Sequence, residues 1–162
     1  MEAISKYITL EKAVRSTTAI EKGIKNQPGA RELKSMKTLA EKVHTPATEH
    51  FGFPIPFSSF YRSPSLNRII GGAKNSQHVS GEAIDLDMDM IEKGVDNKDL
   101  FLWIQENLEF DQLIWEFGNA TKPDWVHVSY VDPEIRANRK QVLQAIRKNG
   151  AVQYIPFTLK AA

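Results

Sequence analysis

The chain has 162 residues, about one average domain, with 21 Lys+Arg against 20 Asp+Glu, 41% hydrophobic residues and no cysteine. These counts exclude a disulfide scaffold, any thiolate metal site and a cysteine nucleophile, and they offer no basic excess to draw nucleic acid. Metal or acid–base chemistry therefore falls to Asp, Glu and four histidines: His44, His50, His78 and His127.

At the N-terminus, Glu2, Lys6, Glu11 and Lys12 interrupt any apolar run of the kind a secretory signal needs. No stretch approaches the ~18 apolar residues of a membrane helix. The expectation is a protein made in the cytoplasm without a signal peptide and with no membrane insertion. Residues 9–20 predict a helix capped by Thr9, and residues 23–30 a Gly- and Pro-rich loop. A second helix is predicted over 30–43, with Leu33, Met36, Leu39, Ala40 and Val43 on one face and Pro46 closing it. The proline- and aromatic-rich segment 51–67 predicts turns and a strand near 55–61. A polar Gly-rich loop, 71–81, precedes a strictly alternating run, 83–90. There Ile84, Leu86, Met88 and Met90 would face one way and Asp85, Asp87 and Asp89 the other, as in a strand with one apolar face.

Asn97 is a candidate cap for a helix over 98–108; residues 110–117 and 125–131 read as strands joined by the turn 118–124. Asp132-Pro133 opens a last helix predicted over about 132–149 and stopped by Gly150. The order predicts an α+β fold in which a small antiparallel sheet is flanked by helices. One domain over 1–162 is expected, with a helical part at about 8–45, a core at about 50–131 and the C-terminal helix.

His78 lies in SQHVSGEAID, Asp85 follows seven residues later, and His127 sits in DWVHVS. Two histidines and a carboxylate suffice for a catalytic zinc with water as the fourth ligand. Such an ion lowers the pKa of its water to about 7 and polarises a carbonyl. Spacing alone does not separate this from histidines with structural roles.

The run FYRSPSLNRIIGGAKNSQHVSGEAIDLD, followed at a distance by WVH, resembles the M15 family of zinc D-Ala-D-Ala carboxypeptidases and phage endolysins. The matching residues are Tyr61-Arg62-Ser63-Pro64 with Asn67, Gly71-Gly72, Ser76, His78, Gly81, Ala83 and Asp85, and Trp125-Val126-His127. The likeness extends to ITLEKAVRS, to the Asn26-Gln27-Pro28 loop and to Phe51-Gly52, and so covers about residues 8–130. It implies a hedgehog/D-Ala-D-Ala-peptidase type of fold and Zn2+ held by His78, Asp85 and His127. The implied activity is hydrolysis of peptidoglycan stem peptides, by a D-Ala-D-Ala carboxypeptidase or an L-Ala-D-Glu endopeptidase. The implied setting is a phage endolysin or related cell-wall lysin, monomeric and reaching the wall after holin-assisted release or virion delivery. A catalytically inactive wall- or protein-binding module on the same scaffold is the alternative.

Hydrolysis also needs a carboxylate base. Asp124, three residues before His127, is favoured by its place in the family pattern, although residues three apart on a strand face opposite ways. Glu116, at the end of LIWE, is the other candidate. Arg62 is implied to hold substrate or a developing oxyanion, a task suited to a forked guanidinium. Ser76 and Trp125 are taken as substrate-binding residues. His44 and His50 are expected to be structural, and Asp87 and Asp89 to orient a ligating histidine or to lie exposed.

Overall fold

A computed structural model describes residues 2–159. Two short helices, α1 (Leu10–Ala13) and α2 (Thr17–Glu21), replace the single helix expected over 9–20. Thr9 caps the first, but Ser16 starts a second cap by accepting from Ala19 N, which breaks the run. Helix α3 (Ala30–Leu39) then runs through a wide π turn (Ala40–His44) into α4 (Thr45–Phe51). Pro46 therefore sits inside a helical run that continues to Phe51. The π turn absorbs the hydrogen bond and the space that proline denies an α-helix.

Strand β1 (Phe57–Ser59) is followed by α5 (Pro64–Ile69), β2 (Ala83–Leu86), α6 (Asn97–Asn107), β3 (Gln112–Glu116) and β4 (Trp125–Ser129). The alternation of 83–90 supports a strand only to Leu86. Asp87 then accepts from Asp89 N and turns Met88–Met90 into a 3-10 turn, leaving Met90 exposed. Asp96, not Asn97, caps α6 through a reciprocal pair with Asp99. Asn97 is wholly buried instead, accepting from Met88 N at 2.7 Å and donating to Asp124 O at 2.9 Å.

The C-terminal helix expected over 132–149 is absent. Asp132 does start a turn, accepting from Glu134 N, but Arg136 and Arg139 are drawn onto buried Asp111 and Asn138 pairs both ways with Val131. The chain then forms a hairpin, β5 (Gln141–Lys148) and β6 (Ala151–Pro156). Its turn is Asn149-Gly150 with φ of 52° and 77°, the left-handed pair that a two-residue hairpin requires. The Asn-Gly pair was the readable signal, since a residue taken for a helix stop is the second half of a hairpin turn.

All six strands form one sheet in the order β1-β2-β4-β3-β5-β6. The sheet is mixed and larger than expected: every pair is antiparallel except β3 with β5, which run parallel. One face carries Ile84, Leu86, Leu113, Trp115, Val126 and Val128, all buried. Trp115 meets Phe101 of α6 edge-on at 5.3 Å, and Phe157, just past β6, stacks on Trp115 at 5.2 Å. The opposite face carries Asp85, Ile114, Glu116, Trp125 and His127, by the two-residue alternation of strands. Among the described residues no helix is long and apolar enough to cross a membrane.

Candidate metal centre

Asp85 on β2 lies directly opposite His127 on β4, and Ser59 and Ile114 extend that row to β1 and β3. Directly opposed residues project from the same face, so the carboxylate and the imidazole meet. His127 Nδ1 is 3.0 Å from Asp85 Oδ1.

His78 arrives from a tight turn in which Gly81 N donates to His78 O and Glu82 N donates to Gln77 O. Gly81 has a φ of 73°, and a Cβ there would lie 2.6 Å from the Glu32 carbonyl oxygen of α3. Only glycine allows this turn to bed against the helix. The loop before it is held by the residues of the Arg-Ser-Pro segment. Ser63 caps α5 ahead of Pro64, Asn67 donates to Ala73 O, and Asn26 accepts from Ser63 N while donating to Val14 O and Tyr61 O. Motif residues outside the His78, Asp85 and His127 cluster thus fix where His78 stands, Arg62 N among them by donating to His78 O.

His78 is 1% exposed, and its Nδ1 is 2.7 Å from Phe60 O. A carbonyl only accepts, so Nδ1 carries a proton and Nε2 is the nitrogen that faces the cluster. Nε2 has no hydrogen-bond partner, yet it stands 3.2 Å from Asp85 Oδ2. With Nδ1 committed to Phe60 O, Nε2 and the partly buried Asp85 carboxylate face each other in an arrangement that a cation between them would satisfy. One ligand atom from each of His78, Asp85 and His127 lies within 4.8 Å of the others. The donor set, two nitrogens and a carboxylate oxygen, suits zinc and leaves a fourth position open. Burial alone would raise the Asp85 pKa, but the charges and hydrogen bonds of His78 and His127 outweigh it and hold the carboxyl well below its usual range.

The two candidate bases are placed differently. Asp124 is exposed, and its backbone is what the fold uses, its N–H donating to Glu116 O and its carbonyl accepting from Asn97. Glu116 lies opposite Trp125, one alternation along from Ile114 and so on the same face as Asp85 and His127, and it is 6% exposed. Burial pushes its carboxyl up to about 7; His127 and Arg62 oppose that rise and Asp85 adds to it.

Arg62 is half-buried, with Nε lacking a hydrogen-bond partner. Desolvation lowers its pKa, while the negative charge of Asp85 and Glu116 counters that, so the guanidinium faces the same site. Gly72 leaves space for the Asn67 amide, which a Cβ there would strike first, and next for Arg62 Nη1 at 3.2 Å. Arg62 also opens onto a groove of about 800 Å3 lined by Lys12, Arg15, Phe57, Ser59 and Tyr61; of these, the sequence does not single out Lys12, Arg15 or Ser59 for function. Ser76 contributes its backbone to the His78 turn, accepting from Val79 N. Trp125 stands half-buried on the site face, packed edge-on against Phe117 at 5.4 Å. His44 and His50 lie outside the cluster. The first is buried against Ile55 O at 2.7 Å, and the second stacks on Trp103. Asp87 caps the 3-10 turn and Asp89 pairs with Lys122.

The family model described as Peptidase M15 matches residues 6–129, which is most of the chain. No curated protein matches it closely.

Proposed function

The chain belongs to the peptidase M15 family, and from that premise we propose that it is a zinc-dependent hydrolase of peptidoglycan stem peptides. The bond cut would be D-Ala-D-Ala or an internal L-Ala-D-Glu linkage, and the setting a phage endolysin or related cell-wall lysin. The observation that carries this reading is a sheet face bearing Asp85 and His127, with His78 brought against it from the turn ahead of β2 and a buried carboxylate, Glu116, on the same face.

Zinc held by the three ligands would supply a Lewis acid that polarises the scissile carbonyl and makes a water acidic near neutrality. The protein's own residues supply the rest. Phe60 O orients the His78 ring through Nδ1, and the partly buried Asp85 stays ionised beside both imidazoles. Glu116 takes the proton of the attacking water and returns it to the leaving amine. A carboxyl pushed up toward neutral pH is suited to both transfers. Arg62, partly stripped of water, presents unspent donors to a carbonyl or terminal carboxylate oxygen of the peptide. Geometry thus prefers Glu116 over Asp124 as the base, and Asp124 becomes a turn residue whose backbone positions Trp125.

The test joins metal analysis to product identification. Purified protein should hold one equivalent of zinc and release defined fragments from isolated muropeptides, identified by mass spectrometry, with activity lost in chelator and restored by zinc. A metal-free protein that binds cell walls without cleaving them would replace the enzyme with the inactive binding module.

A further inference from the structure

The hairpin β5–β6 lies beyond the family match, which stops at residue 129, yet it is continuous with the strand that bears Glu116. Glu116 pairs with Ala145 on β5, and Ala145 pairs with Tyr154 on β6. Paired residues share a face, so Glu116, Ala145 and Tyr154 make a row on the metal side of the sheet, next to the row of Asp85, His127 and Ile114. Strands about 4.8 Å apart put the Tyr154 and Glu116 backbones about 10 Å from each other. The side chain between them is a methyl, and Ala145 is completely covered. Tyr154 itself is 53% exposed, so its ring borders the site and is not locked in the core.

The hairpin also closes a cleft of about 400 Å3 lined by Phe117, Asp124, Trp125, Ala145 and Arg147. The Arg147 guanidinium stands 4.7 Å over the Phe117 ring, which in turn packs on Trp125. The hairpin and the turn after β3 therefore share one wall. The field agrees with the register. Burial, then the negative charges of Glu116 and Asp85, push the Tyr154 hydroxyl above its ordinary pKa, which keeps it a neutral donor.

We infer that the C-terminal hairpin forms a substrate-binding wall of this site and that the Tyr154 hydroxyl donates a hydrogen bond to an acceptor oxygen of the bound peptide. This rests on the peptidase reading above. The ring supplies apolar contact and the hydroxyl supplies direction, so Tyr154 is a positioning group for substrate, opposite the groove that Arg62 opens onto.

The experiment uses the full-length, zinc-loaded protein and two readouts. One is hydrolysis of muropeptides by wild type, Tyr154→Phe and Tyr154→Ala. The other is equilibrium binding of a synthetic stem peptide to Glu116→Gln, with and without Tyr154→Phe. Tyr154→Phe should raise KM and weaken peptide binding by about three- to tenfold, the worth of one neutral hydrogen bond. Zinc content and Tm should not move, and Tyr154→Ala should lose at least as much. If wild type cleaves while Tyr154→Phe stays within twofold in both readouts, the wall is overturned and the peptidase reading stands. If wild type neither cleaves nor binds, the peptidase reading itself fails.

Discussion

Asp111 is the strongest test of how the loop regions hold the site. Its side chain is fully buried and accepts six hydrogen bonds: two from Arg136, two from the Arg139 guanidinium, one from Arg139 N and one from Gln77 Nε2. Gln77 precedes His78 of the candidate metal cluster, so one carboxylate ties the segment leading into β5 to the turn that carries it. Breaking a buried charge pair costs about 3–5 kcal/mol. The arginines are 42% and 51% exposed and can regain water once released, which argues for the low end. Asp111→Ala should therefore cost about 3 kcal/mol. At 2–4 °C per kcal/mol for a chain of this size, Tm falls by about 6–12 °C. Thermal unfolding of metal-free wild type and variant, followed by circular dichroism, measures this.

The pH dependence follows from the same contacts. Burial works against ionisation of Asp111, but the two arginines overcome it and hold the folded-state pKa well below its usual range. A depressed carboxylate contributes stability that is present above its unfolded pKa of about 3.9 and is lost as pH falls toward the folded value. The gap in Tm between wild type and Asp111→Ala should hold from pH 7 to about pH 5 and shrink below about pH 4. A gap under 2 °C at pH 7, or one that ignores acid, would refute the reasoning.

Glu116→Gln should lower kcat by about 10²–10⁴-fold while zinc content stays at one equivalent, whereas Asp124→Ala should stay within a small factor of wild type. Steady-state kinetics with metal analysis decides, and the reverse result would return the base to Asp124. Without metal, burial lifts Glu116 from 4.5 to about 7, so the folded state holds a proton that the unfolded state has lost across that window. Stability of the chelator-treated wild type should then fall, relative to Glu116→Gln, as pH rises from 4.5 to 7, read as Tm against pH. Gly81→Ala puts a Cβ against the Glu32 carbonyl in a left-handed backbone. It should cost at least the roughly 1–2 kcal/mol of that conformation and weaken zinc retention in a chelator competition.

The candidate metal cluster is legible in the sequence because His78 and Asp85 are brought close by a turn whose glycine and small residues are written locally. The choice between the two candidate bases is not legible in the same way. Whether Glu116 or Asp124 faces the ligands depends on the β3–β4 register, which sets Glu116 against Trp125 and leaves Asp124 in the turn. Spacing along the chain carries no record of that pairing. The last helix failed for a related reason. Asp132-Pro133 is a sound helix start, but Asp111, more than 20 residues earlier, captures the two arginines that the helix would have carried. The π turn at Ala40–His44 likewise lets a helix run through Pro46, where local rules place its end.

β3 sits in the interior of the sheet because β5 lies along it in parallel. The part of the chain that carries the candidate metal cluster would, if cut free after β4, expose β3 along its full length. Its unpaired amides and carbonyls would flank Trp115, stripped of Phe157. Such an edge recruits strands from other molecules. A fragment trimmed after β4 should therefore self-associate, and fusion partners are better attached beyond Phe157 than directly after Ser129.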